Sequence, residues 1–199
     1  MSSLMRYPAE HKQQTRHRIV KAAARRFRSR GSEGAGIGEL MRDLHLTHGG
    51  FYRHFKSKED LFVEAFSEGA SEIHGRIVAA VENAPPGGEL KALIDAYLSE
   101  EHCDNIEDGC PVAALATELA RRSPRSRARL AFERALKERT ARMAKYMPGA
   151  TEEERLARTR TLMSGMSGTL TIARVLTDRE LRRRFLADAR SFYLAAAGG

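Results

Sequence analysis

Only two cysteines, Cys103 and Cys110, occur in the 199 residues, which excludes a disulfide-built scaffold and makes a cytoplasmic location the expectation. Nowhere do about 18 apolar residues follow one another, so no membrane-spanning helix is expected. The opening MSSLMRYPAEHKQQTR is polar and basic and predicts no secretory leader. No segment sustains a two-residue alternation of apolar and polar positions, the main signal for half-buried strands. Missing too are a Walker phosphate loop, a dinucleotide glycine motif and an HExxH zinc signature. Gly165-Met166-Ser167-Gly168 resembles a nucleophile elbow superficially, but it lacks the final spacing and lies in a helical pattern. Neither enzymatic chemistry, nor a cofactor, nor a metal is therefore expected.

What is present is a foldable chain, 42% hydrophobic and 30% charged, with a lopsided charge. Its net charge is +8, of which +7 falls within residues 1–60, along with five of the seven histidines. A basic module beside a balanced body suits docking on a polyanion, with a merely solvated basic face as the alternative.

The pattern is helical throughout and predicts about nine helices. A first helix over Thr15–Arg30 carries Ile19, Val20, Ala23, Ala24 and Phe27 on one stripe and stops at Gly31. A second holds Ile37, Leu40, Met41 and Leu44. A short third runs from Thr47 to about Phe55, with Thr47 as N-cap and a Leu46–Phe51 hydrophobic staple. Ser57 and Asp60 open a long fourth helix that ends before Pro85-Pro86-Gly87-Gly88. Leu90 to Leu98 mark a fifth, followed by an irregular acidic stretch from His102 to Gly109. Pro111 starts the sixth and Ser123-Pro124 the seventh, which Pro148-Gly149 closes. Thr151 with Glu154, and Thr177 with Glu180, read as capping boxes for the eighth and ninth. The terminal Ala-Ala-Ala-Gly-Gly reads as a fraying end.

The second and third helices, joined by a tight turn and packed on the first, have the layout of a helix-turn-helix. His48, Gly49, Gly50, Tyr52, Arg53 and His54 are then exposed, while Phe51 and Phe55 turn inward. Two glycines at a helix start cost up to about 1 kcal/mol each, and close approach to DNA is a reason to keep them. Tyr52 can reach a phosphate and Arg53 a phosphate or a guanine. Lys58 sits in a helical first turn that already favours an anion. The stretch IGELMRDLHLTHGGFYRHFKSKEDLFVEAF, residues 37–66, resembles the DNA-binding signature of the TetR/AcrR family of bacterial transcriptional regulators. That resemblance implies that Thr47, Tyr52, His54 and Lys58 hold phosphates while His48, Gly49 and Gly50 face bases. His48 stands where lysine or another polar residue is common, so base preference does not transfer.

The expected fold is accordingly all-α. A three-helix helix-turn-helix domain (residues 1–60) precedes a helical effector-binding and dimerisation domain (residues 61–199). The resemblance implies a homodimer on a double-stranded, palindromic DNA operator, in most relatives as a repressor released by a small-molecule effector, in fewer as an activator. Two apolar helices near the end suit the dimer, with Leu162, Met166, Leu170, Ala173, Leu181, Phe185 and Phe192 as its expected interface and Gly165, Ser167 and Gly168 allowing close approach. Packing within one monomer is the alternative for those stripes. The segment Gly109-Cys110-Pro111 is similar to one in an LmrA- and YxaF-like subgroup of the family. It implies an effector pocket among the fifth to eighth helices, with Tyr97, Cys110, Leu115, Phe132, Met163 and Met166 as lining residues or else plain core. A redox response through Cys103 and Cys110 is a further alternative, opposed by acidic neighbours that would raise a thiol's pKa and reduce its thiolate fraction. The spacing of His102, Cys103 and Cys110 matches no standard zinc pattern.

Overall fold

The computed structural model describes residues 9–198; the segment 1–8, part of the stretch read as carrying no leader, lies outside the described residues. All regular structure among them is helical. In order come α1 (Ala9–Gly34), α2 (Ile37–Asp43), α3 (His48–Phe51), α4 (Lys58–Glu82), α5 (Glu89–Tyr97), α6 (Glu100–Asp104), α7 (Pro111–Ala120), α8 (Arg127–Met143), α9 (Glu152–Ala173) and α10 (Arg179–Gly198). A 3-10 turn, Ala144–Tyr146, follows α8. The helix beyond the expected nine is α6, cut from the stretch read as irregular. Ser99 starts it, its hydroxyl accepting the His102 N–H at 3.1 Å.

Several helix ends differ from the reading for local reasons. Gly31 (φ 71°) interrupts α1 as expected, taking a left-handed conformation that glycine adopts without penalty. Ser126, rather than Ser123, caps α8, accepting the Arg129 N–H at 3.4 Å. At the start of α10, Asp178 displaces Thr177: its carboxylate accepts the N–H groups of Glu180 at 2.9 Å and Leu181 at 3.1 Å. The Thr151–Glu154 capping box forms in full. The alanines read as a fraying end continue α10, where Ala197 is buried in the core.

Two apolar cores share α4. The first joins Ile19, Ala23 and Phe27 of α1 to Met41, Phe51, Phe55, Phe62 and Phe66, and is completed from far along the chain by Leu115, Leu119 and Ala128. The second gathers Ile73, Ile77 and Val81 with Tyr97, Met143, Met163, Met166, Leu170 and Leu186. Polar ties also cross between the first helices and the body. The Ser32 N–H donates to Glu118 at 2.8 Å, and Arg127 of α8 pairs with Asp60 at the start of α4. Arg25 meets Glu107 at 3.2 Å and Asp108 at 3.3 Å.

Candidate nucleic-acid interface and the interior behind it

The α2–α3 corner turns through His45 (φ 58°), with the Leu46 N–H donating to the Met41 carbonyl at 2.8 Å. The Thr47 hydroxyl then accepts the Gly50 N–H at 3.1 Å and caps α3. Phe51 and Phe55, both buried and 5.4 Å apart between ring centroids, pin the short helix to the core. The helical part covers four residues, and Tyr52 to His54 lie in the turn that follows. It is shorter than the sequence suggested because its two glycines weaken helix propagation and Phe55 must turn back into the core.

That anchoring leaves His48, Gly49, Tyr52 and Arg53 facing solvent, with Tyr52 62% exposed. The two glycines have different work. A β-carbon at Gly49 would meet nothing within 4 Å, so that backbone is open to an approaching ligand. One at Gly50 would crowd the Thr47 hydroxyl at 3.2 Å, so Gly50 serves the cap. Lys58 lies in the first turn of α4, its ammonium 3.5 Å from the Glu33 carbonyl. His54 is half-buried; burial first, then Lys12, Arg16 and Arg53, lowers its pKa. Arg16 was not singled out in the sequence. It lies 4.2 Å from the Phe55 ring centroid, pairs with Glu64 and donates to the His54 carbonyl, fixing the end of the α3 segment to α1. A groove of about 700 Å³ beside the corner is lined by His11, Lys12, His45, Arg53 and His54, none of them negative.

A polar cluster lies buried behind this surface, in the second core. The Cys110 N–H donates to His102 Nε2 at 2.9 Å, so the proton of the neutral imidazole sits on Nδ1 and is donated to the Tyr97 carbonyl at 2.6 Å. Burial drives the His102 pKa down to about 4. The Tyr97 hydroxyl is 2.9 Å from the Ser167 hydroxyl, and Arg139 places Nη1 3.3 Å from Cys110 Sγ and its guanidinium 5.3 Å from the Tyr97 ring centre. Burial raises the Cys103 thiol, but at Cys110 Arg139 and the Tyr97 hydroxyl outweigh burial and lower it. The expectation that acidic neighbours raise a thiol is thus corrected for Cys110. Glu107 and Asp108 are turned toward Arg25 and Arg28 of α1 instead. Both cysteines are free, so a redox pair has no structural support. Among the described residues no three His, Cys, Asp or Glu side chains gather to hold a metal.

Of the expected pocket residues, Tyr97, Cys110, Met163 and Met166 share the second core. Leu115 and Phe132 do not join them; both pack in the first core, Phe132 lying 5.7 Å from Phe66. The expected interface residues divide as well. Leu162, Met166, Leu170 and Ala173 face the chain's own core, Phe185 is half-buried against it, and Leu181 and Phe192 are exposed. The open face of α9 carries Ser164, Gly168 and Ile172. Gly165 admits Tyr193 of α10 in the same chain rather than a partner helix, the phenol lying where a β-carbon would be 2.7 Å away.

A capped short helix offering polar side chains and bare backbone beside a cationic groove, packed on a helical body, defines a DNA-binding transcriptional regulator. Residues 19–65 match the model for bacterial regulatory proteins of the tetR family, and residues 86–189 that for the tetracyclin repressor-like C-terminal domain. The chain belongs to the TetR family, whose members are DNA-binding regulators and not enzymes. It is 29% identical over 111 residues to the HTH-type transcriptional regulator LmrA of Bacillus subtilis, covering 55% of this chain and 59% of that one. With the HTH-type transcriptional regulator AcrR of Shigella flexneri it shares 32% over 90 residues, 45% of this chain and 41% of that one. The match thus spans about half the length of these curated relatives. A TetR-family regulator from Cytophaga hutchinsonii superposes with a TM-score of 0.76 at 18% identity, over 94% of this chain and 96% of that one. One from Chloroflexus aurantiacus gives 0.67 at 23% identity over the same shares, so both share the fold. No helix among the described residues is long and apolar enough to cross a membrane.

Proposed function

We propose that this chain is a cytoplasmic repressor that binds a palindromic operator as a homodimer and releases it when a small molecule enters its helical body. Residues 1–60 form the DNA-binding part in this reading and residues 61–199 the effector and dimerisation part, with α4 the element common to both cores. Thr47, Tyr52, His54 and Lys58 take phosphates, His48 and Gly49 face base edges, and Arg53 takes either. Gly50 holds the cap that places them. The dimer forms over the exposed residues of α9 and α10, Ile172, Leu181 and Phe192 among them. A two-fold pair presents two α3 helices about one DNA turn apart, or a multiple of it.

One observation carries the release step: the loop between α6 and α7 touches both parts. Glu107 and Asp108 on it hold Arg25 and Arg28 of α1, while His102 and Cys110 at its ends belong to the interior cluster. A ligand that prefers one arrangement of that interior shifts α1 and the recognition helix with it. Protection of flanking genomic DNA from cleavage, followed by a screen for compounds that abolish the protection, tests the reading. It falls if no duplex is protected, or if no compound of any chemistry releases a protected one.

A further inference from the structure

We infer that the effector is an apolar organic anion whose acidic group is received by the guanidinium of Arg139; the inference rests on the effector reading above. Arg139 lies on α8 inside the second core, only 8% exposed. An arginine there stays charged, because its pKa is too high for burial to neutralise it. Yet among the described residues no carboxylate comes within ion-pair distance of it. Its hydrogen bond runs to the Cys110 sulfur at 3.3 Å, and its face lies against Tyr97.

Arg28 makes the contrast within the same chain. It too is buried, and it has Glu72 at 3.2 Å and Asp108 at 3.9 Å. Carboxylates accompany Arg28; Arg139 has none. The surroundings do not repair the imbalance. Arg174 of α9 donates to the carbonyls of His102 at 3.0 Å and Cys103 at 3.2 Å, again with no carboxylate in reach. His102 is held neutral by burial, reinforced by the positive charges of Arg174, Arg76 and Arg139. The interior therefore has a positive potential and no carboxylate to meet it; the acidic group nearest Arg139 is the Cys110 thiol, whose pKa it lowers. A ligand carboxylate gives the guanidinium two parallel N–H···O bonds, a stronger partner than a single sulfur.

The other side chains of this core suit an apolar body. Met143, Met147, Met163 and Met166 all lie buried in this core, unbranched and able to repack around an entering ring or chain. The Tyr97–Ser167 hydroxyl pair offers a second polar anchor. An anion at Arg139 competes with the Cys110 sulfur for the guanidinium. Cys110 ends the loop that grips Arg25 and Arg28, so the competition falls on the connection to α1.

Thermal unfolding of the full chain with benzoate, salicylate and their uncharged amides, benzamide and salicylamide, tests the inference in wild type, Arg139→Met and Arg139→Lys. The acids raise the wild-type Tm and the amides do not. Arg139→Met unfolds no earlier than wild type without ligand and loses the response. Arg139→Lys keeps the charge but not the fork, and responds with a midpoint about tenfold higher, a difference of about 1.4 kcal/mol. Should Arg139→Met fail to fold, the lysine variant decides alone, and a wild-type midpoint there overturns the inference. Equal stabilisation by the amides, an undiminished response in Arg139→Met, or no shift with either acid also overturns it. Each of these leaves the effector reading standing, since that reading fails when no duplex is protected or when neutral and acidic compounds alike leave a protected duplex bound.

Discussion

Arg28 crosses α4 at Gly69: its guanidinium occupies the space that a β-carbon at that position would need. Beyond the crossing it reaches Glu72 and the Glu107 carbonyl, with 1% of its side chain exposed, so it has no free volume to retreat into. The glycine is thus what lets the first helix take hold of the body.

Gly69→Ala is expected to destabilise the protein despite alanine's better helix propensity. Overpacking costs about 1–3 kcal/mol against a propensity gain of about 1 kcal/mol. Gly75 on the same helix is the control, since a β-carbon there meets nothing within 4 Å, and Gly75→Ala should raise the Tm. Calorimetry of the two variants checks the contrast, and a higher Tm for Gly69→Ala would falsify it.

On DNA, Lys58→Ala and Tyr52→Phe should weaken every duplex to a similar degree. Removing the Lys58 charge from its phosphate should also reduce the slope of log affinity against log salt by about 0.9. His48→Ala should instead alter the ranking of operator variants. Gly49→Ala should weaken binding while leaving the fold intact, because its β-carbon meets only open space in the free protein. Salt titrations on matched and mutated duplexes separate these effects, and a uniform loss for His48→Ala would show that it reads no base.

The α2–α3 corner was legible in the sequence because its signals are local. A capping threonine, a hydrophobic staple and two inward phenylalanines lie within about ten residues of one another. The interior was not, for a physical reason: Tyr97, Cys110, Arg139 and Ser167 come from four separate parts of the chain. Arg139 reads as one more basic residue on a polar helix, and only packing shows it buried without a carboxylate. The inward face of α9 was equally hidden. Apolar and small residues surround most of that helix, so periodicity alone did not decide whether Leu170 or Ile172 faces the core. The acidic loop misled in the same way, since proximity in sequence put its carboxylates beside Cys110 while the fold turns them toward α1.

Acid should loosen the fold in a defined window. His102 titrates near 4 in the folded protein against 6.5 for an unperturbed histidine. Between those values the unfolded chain binds the extra proton, so stability falls as pH drops from about 6.5 to about 4 and is fully present above that window. The shift corresponds to about 3 kcal/mol from this residue. Burial lowers His54 and His74 as well, in the same direction. Urea unfolding across the window should show the slope, reduced by about one proton in His102→Asn. An unchanged slope in that variant would remove His102 as its source.

The exposed and buried apolar residues near the C-terminus should fail in different ways. Phe192 is 67% exposed, and if it lies between protomers, Phe192→Asp should give monomers by sedimentation, leave the Tm of the monomer near that expected for a surface change, and weaken operator binding by removing the second α3. Leu170 is fully buried in its own chain, so Leu170→Ala should cost about 2–5 kcal/mol of folding stability through the cavity it opens. Its effect on assembly should then be no greater than the loss of folded protein accounts for. A Phe192→Asp protein that sediments as a dimer would move the interface away from the exposed face of α10.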